Sequence, residues 1–164
     1  MMMTLEVAGH VAARLVVATL IGSGIGLNRE LRHKPAGLKT HALVALGSAL
    51  ITVIGTSMTD LMHPDMTVVS RIIQGIMAGV GFLGGGAILK SNEDTVVGLT
   101  TAASIWLAAS FGIACGVGEF GAALIALAIA LIVLVFGKAV EKRFKVSNAK
   151  SAPPRPSGSG PGRP

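Results

Sequence analysis

Two arginines, Arg14 and Arg71, stand inside or at the edge of stretches that otherwise carry no charge. An arginine placed in lipid costs at least a few kcal/mol to insert, so by default it marks a partner or a function. Glu6, Asp60, Asp65 and Glu119 flank the same ends of those stretches and are the acids available to them. Two chemistries fit: an ion-pair cluster tying loops to a helical bundle, or a charged vestibule for an ion or polar ligand. A second polar set gathers around two related strings, Gly37-Leu38-Lys39-Thr40 and Gly98-Leu99-Thr100-Thr101, each opening a hydrophobic stretch. A helix start offers free backbone N–H groups and a positive dipole end, and threonine hydroxyls can cap it. Thr40, His41, Thr100 and Thr101, with Asn28, Arg29 and Glu30 ending the stretch before, would form a polar ring able to bind a ligand. Capping accounts for the threonines but not for the shared string.

Other chemistry is limited by what the chain lacks. No phosphate-binding G-x-x-x-x-G-K-[ST], no H-E-x-x-H, no Cys-His array and no G-x-S-x-G elbow occurs. Gly79 to Gly86 read GVGFLGGG, but within an apolar stretch and with no strand before it. The histidines, at 10, 33, 41 and 63, divide between the two ends of the predicted helices, and Cys115 is alone. No metal site, cofactor or enzymatic activity is expected.

The elements that must position these residues follow from charge and hydropathy. Of 164 residues, 51% are hydrophobic and only 13% charged, with a mean hydropathy of +0.70. Soluble domains carry roughly a quarter charged residues, so the lipid bilayer is the expected surroundings. The net charge of +6 does not point to nucleic acid, because the basic residues sit in loops and tail and the chain has no Tyr and one Trp. Residues 15–28, 40–59, 72–89, 95–118 and 120–137 are free of charge, and a span needs about 20 such residues. The reading is all-α and integral to the membrane, with five transmembrane helices over about 7–27, 39–59, 68–89, 96–118 and 120–137. Whether Gly118 to Gly121 is a loop or a kink in one long segment stays open. With no basic residue before Arg14, the start lacks the positive region of a cleavable signal, so the first span is expected to stay.

Arg29, Arg32, Lys34, Lys39, Lys90 and the seven basic residues from Lys138 to Arg163 all fall on one side of that arrangement. The positive-inside bias makes this side cytoplasmic, with the N-terminus out and the C-terminus in. The bundle is expected to occupy 1–145. Residues 146–164 hold five of the seven prolines and no large apolar side chain after Val146, and are expected to be a disordered basic tail.

A parallel repeat relates spans 1–2 to spans 3–4. A shift of 57 carries Arg14 onto Arg71, Gly22 onto Gly79 and Gly24 onto Gly81; a shift of 61 carries Gly37-Leu38 onto Gly98-Leu99 and Thr40 onto Thr101. Small residues at helical spacing let backbones approach closely in lipid. Gly22 and Gly26 form such a stripe on span one. On span three, Gly75, Gly79 and Gly86 share one sector while Gly81, Gly84 and Gly85 occupy another, which predicts a central helix packed on both sides. A break at Gly84 to Gly86 is the alternative.

The strings RLVVATLIGSGIGLNREL, KPAGLKTHALVALGSAL and RIIQGIMAGVGFLGGGAILK, followed by VGLTTAASIWLAASFGIACGVG, resemble the MgtC/SapB family of bacterial inner-membrane proteins. By that pattern Arg29, Glu30, Thr40, His41, Arg71, Gly81, Phe82, Gly84, Gly86, Thr100, Thr101 and Trp106 fall on motif positions. Gly85 stands where the family more often has Ala, and the cytoplasmic C-terminal domain of longer members is absent from this sequence. The resemblance implies a multi-pass protein of the inner membrane, linked to magnesium homeostasis and growth at low Mg2+, in a family associated with virulence. It implies a non-enzymatic role through binding another membrane protein, the ATP synthase being the family's instance, with a homo-oligomer left open. The alternative is a small transporter or channel for a cation or small solute.

Overall fold

The computed structural model describes residues 5–58, 66–90 and 96–150. Asp60, Asp65 and the tail from 151 lie outside the described residues. Five helices carry the fold: α1 (Leu5–Leu31), α2 (Leu38–Ser57), α3 (Met66–Gly86), α4 (Leu99–Val117) and α5 (Phe120–Lys150). Each contains a window long and apolar enough to cross a membrane. The fold is therefore all-α with five candidate spans.

Their ends have local causes. α1 stops where His33 takes φ +51°, with Lys34 N–H donating to the Arg29 carbonyl and His33 N–H to that of Glu30. The same paired bonds close α4. There Gly118 sits at φ +96°, and Glu119 and Gly118 N–H bond the carbonyls of Ala114 and Cys115, a Schellman closure. Gly118 thus makes a true turn, and α5 begins afresh at Phe120. α3 stays helical through Gly84 and Gly85 and ends at Gly86, short of the predicted 89. Leu89–Lys90 (β1) instead pairs antiparallel with Val96–Val97 (β2). α5 runs to Lys150, past the position 145 where composition changes.

Residues through Ile129 form one compact unit, and the remainder of α5 from Ala130 is a second. Within the first unit α2 and α4 make the most extensive helix contact, while α1 and α3 each touch both of them. Ala45, Ala49, Ala108, Ala109 and Cys115 are fully buried along this seam. Close approach is made by Gly112, whose α-carbon faces the Ala45 carbonyl and Ser48, and by Gly116, where an added Cβ would lie 2.6 Å from Thr52 Cβ. Gly22 and Gly26 do the same for α1 against α2: a Cβ on Gly22 would lie 2.6 Å from the His41 carbonyl oxygen.

The prediction that span three is central is corrected. Ile76 and Val80 bury α3 against Ile105 and Ala109 of α4, but a Cβ on Gly75, Gly79, Gly81, Gly85 or Gly86 would meet nothing within 4 Å. Gly84 alone of that set touches another helix, with Ala102 Cβ 3.6 Å away. The physical reason is that small residues permit close approach without enforcing it. The α4 pair Gly112 and Gly116, at the same i, i+4 spacing, takes the central place.

Candidate functional site

At one end of the bundle the last turn of α1 meets the first turns of α2 and α4. Arg29, the last buried residue of α1, is only 4% exposed. Its Nη2 donates to the Thr101 hydroxyl of α4, and its Nε has no acceptor among the described residues. Neighbouring Asn28 is half-buried, and its Oδ1 is likewise buried without a partner there. Glu30 turns away from Arg29: its Oε2 accepts the Leu38 N–H at 2.8 Å and so satisfies one of α2's orphan donors from the preceding helix.

His41 is fully buried between these helices. Its Nδ1 lies 2.9 Å from the Gly37 carbonyl oxygen, its Nε2 lies 3.0 Å from Ser104 Oγ, and Ser104 Oγ donates to the Thr101 carbonyl at 2.8 Å. A carbonyl only accepts, and a hydroxyl has one proton to give. A neutral imidazole that donates from Nδ1 to Gly37 leaves the Ser104 proton to serve either Nε2 or the Thr101 carbonyl.

Of the predicted ring, Arg29, His41 and Thr101 are brought together. Thr40 and Thr100 are exposed. The capping expectation is corrected too, since no side chain of its own turn caps α2 or α4; Thr101 spends its hydroxyl on Arg29. Sequence reading missed Ser104, whose signal was its place one turn beyond Thr101 on the same face. Beside the ring, Glu30, His33, Lys34, Gly37, Lys39 and Thr40 line a polar recess of about 450 Å³.

At the opposite end of α1, Arg14 does not pair with an acid among the described residues. Its Nη1 donates to the Gly116 carbonyl at 2.9 Å, so the cation sits at the negative end of α4. Arg71 is exposed on α3 and has no such contact among the described residues. It stands one turn before Gly75 and two before Gly79. These glycines help line an apolar groove of about 520 Å³ between α2 and α3, with Leu43, Gly47, Ile51 and Leu83.

The model of the MgtC family matches residues 15–143, which includes α2, α3, α4 and every residue of the Arg29 ring. The chain belongs to the MgtC family. Protein SapB of Bacillus subtilis is 37% identical over 139 residues, covering 83% of this chain and 60% of its own. Protein MgtC of Salmonella typhimurium LT2 is 44% identical over 117 residues, 71% of this chain and 48% of its own. The putative magnesium transporter YhiD of Escherichia coli K12 is 39% identical over 124 residues, 74% and 57% respectively. The chain thus spans about half to three fifths of the length of these MgtC-family relatives. No solved structure matches it.

Proposed function

We propose that this chain is a non-enzymatic inner-membrane protein serving magnesium homeostasis, and that it acts by docking a transmembrane helix of another membrane protein against α3. One observation carries the reading: Arg71, Gly75 and Gly79 form a single i, i+4 stripe that no helix of this chain covers among the described residues. Glycines at that spacing admit a second backbone closely in lipid. An exposed arginine on the same stripe selects a partner helix bearing a carboxylate near its matching end. A membrane subunit of the ATP synthase, as the family resemblance implies, is a partner of this kind. The names of the Salmonella and Escherichia coli relatives support the link to magnesium. By the charge asymmetry Arg71 lies toward the outer face, with the N-terminus outside.

The rival reading, a small transporter or channel, draws on the name of the Escherichia coli relative. It fits the interior less well, because the buried centre at Arg29 repels a cation, whereas Mg2+ calls for oxygen ligands, carboxylates foremost. Gly79→Leu and Arg71→Glu should insert and melt like wild type yet fail to support growth at low Mg2+ in a strain that depends on this protein. Wild-type growth by both would overturn the docking surface. Flux of Mg2+ into liposomes holding this protein alone would establish the transporter reading instead.

A further inference from the structure

Arg29 cannot shed its charge as a buried lysine or histidine does. Moving an ion of this kind out of water carries an effective penalty of several kcal/mol unless an opposite charge or a full set of acceptors offsets it. Arg29 has neither among the described residues. Its one described contact is the neutral Thr101 hydroxyl, its Nε has no acceptor, and Glu30 is engaged at Leu38. A further source of positive potential converges on the same junction. The first N–H groups of α4 have no intrahelical acceptors, and Gly98, at φ +95°, supplies no side chain to cap them. So a guanidinium with an unpartnered Nε and an uncapped helix start meet where the described residues place no anion.

We propose that this junction binds a phosphoryl oxyanion, held by the Arg29 guanidinium and the first-turn N–H groups of α4. The planar guanidinium offers paired donors that suit phosphoryl oxygens, and a helix start is an anion site by construction. The position favours a phosphoryl group, because the junction lies where α1 ends and α2 and α4 begin, at the end carrying Arg32, Lys34 and Lys39. Lipid phosphates and free phosphate both meet the protein at such a boundary. Basic residues beside it raise the local concentration of either. The proposal is independent of the docking surface on α3.

The test is thermal melting of the purified full chain in neutral detergent. Inorganic phosphate at about 10 mM, against chloride of matched ionic strength, should raise the melting temperature by about 5 °C. Arg29→Gln should remove that rise. If mixed micelles with phosphatidylglycerol raise it where phosphatidylcholine and free phosphate do not, the source is the lipid headgroup and the site stands. No rise with either additive overturns the proposal, as does an equal rise in Arg29→Gln. Should Arg29→Gln fail to fold, Arg29→Lys keeps the charge without the fork. At least half the rise should then be lost, and an undiminished one overturns the site.

Discussion

The Arg14 guanidinium donates to the Gly116 carbonyl 102 residues away, at 2.9 Å. A cation at a helix C-terminus stabilises it by about 0.3–1 kcal/mol and by about 2 when partly buried. A hydrogen bond from a charged donor contributes on the same scale. Arg14→Ala should therefore lower stability by about 2 kcal/mol, and Arg14→Lys by less, since one amine still reaches a single carbonyl. Arg71→Ala should leave it unchanged. Detergent melting of the three variants checks this, and equal loss at both positions would mean that Arg71 has a structural partner too.

The glycines of α3 and α4 should behave oppositely. Gly112→Ala forces a methyl against the Ala45 carbonyl, and Gly116→Ala places one 2.6 Å from Thr52 Cβ. Overpacking of this kind costs about 1–3 kcal/mol. Gly79→Ala meets only open space and gains the better helix former, worth up to about 1 kcal/mol. Gly84→Ala is tolerated while Gly84→Leu is not, because Ala102 lies at ordinary contact distance. Melting of the purified variants separates the two classes, and parallel losses would restore α3 to the centre.

Removing the His41 ring opens a cavity and strands Ser104, so His41→Ala should cost about 2–5 kcal/mol. Ser104→Ala deletes the hydroxyl partner of Nε2 and should cost about 1–3 kcal/mol. The double variant should cost less than the two losses added, since the pair shares one bond. Strict additivity in unfolding measurements would show that the bond contributes nothing.

His33 holds a left-handed conformation at φ +51°, which costs an ordinary side chain about 1–2 kcal/mol. Gly118 occupies the equivalent place after α4 without that cost. His33→Gly should raise stability by up to about 1 kcal/mol, net of the flexibility it adds to the unfolded chain. A fall in melting temperature would mean that the exposed imidazole makes a contact of its own.

In a Cys115→Ala background, Asp65→Cys should react with an impermeant thiol reagent from outside intact cells and Lys145→Cys only after lysis. The motive is the segregation of basic residues to one side. Reaction of both from outside would refute the arrangement with the N-terminus out.

Charge-free length located all five helices because lipid imposes it residue by residue. The ring at Arg29 was partly legible as well: Arg29, His41 and Thr101 belong to strings that open or close a span. Which threonine of each string faces inward was not legible, since Thr40 and Thr101 occupy the same place in their strings, yet only Thr101 is buried. Nor could spacing choose between the α3 glycines and Gly112 with Gly116. Both sets have the helical period, and only the neighbour's shape decides which is used. The partner of Arg14 was misread for a related reason. A search for opposite charges passes over a backbone carbonyl, which no sequence displays.

Fifteen residues separate Arg14 from Arg29 along α1, and fifteen separate Thr101 from Gly116 along α4, the helices being bridged by Arg14 to Gly116 and Arg29 to Thr101. At 1.5 Å per residue both intervals measure about 22 Å. The two arginines therefore work as brackets of equal length on antiparallel rods, fixing the register between α1 and α4 to the single residue. One residue inserted into α1 between them would leave one bracket misaligned by about 100° around the helix. Sliding of α1 along α4 would have to break both brackets. Motion that preserves both brackets must carry the pair as one body.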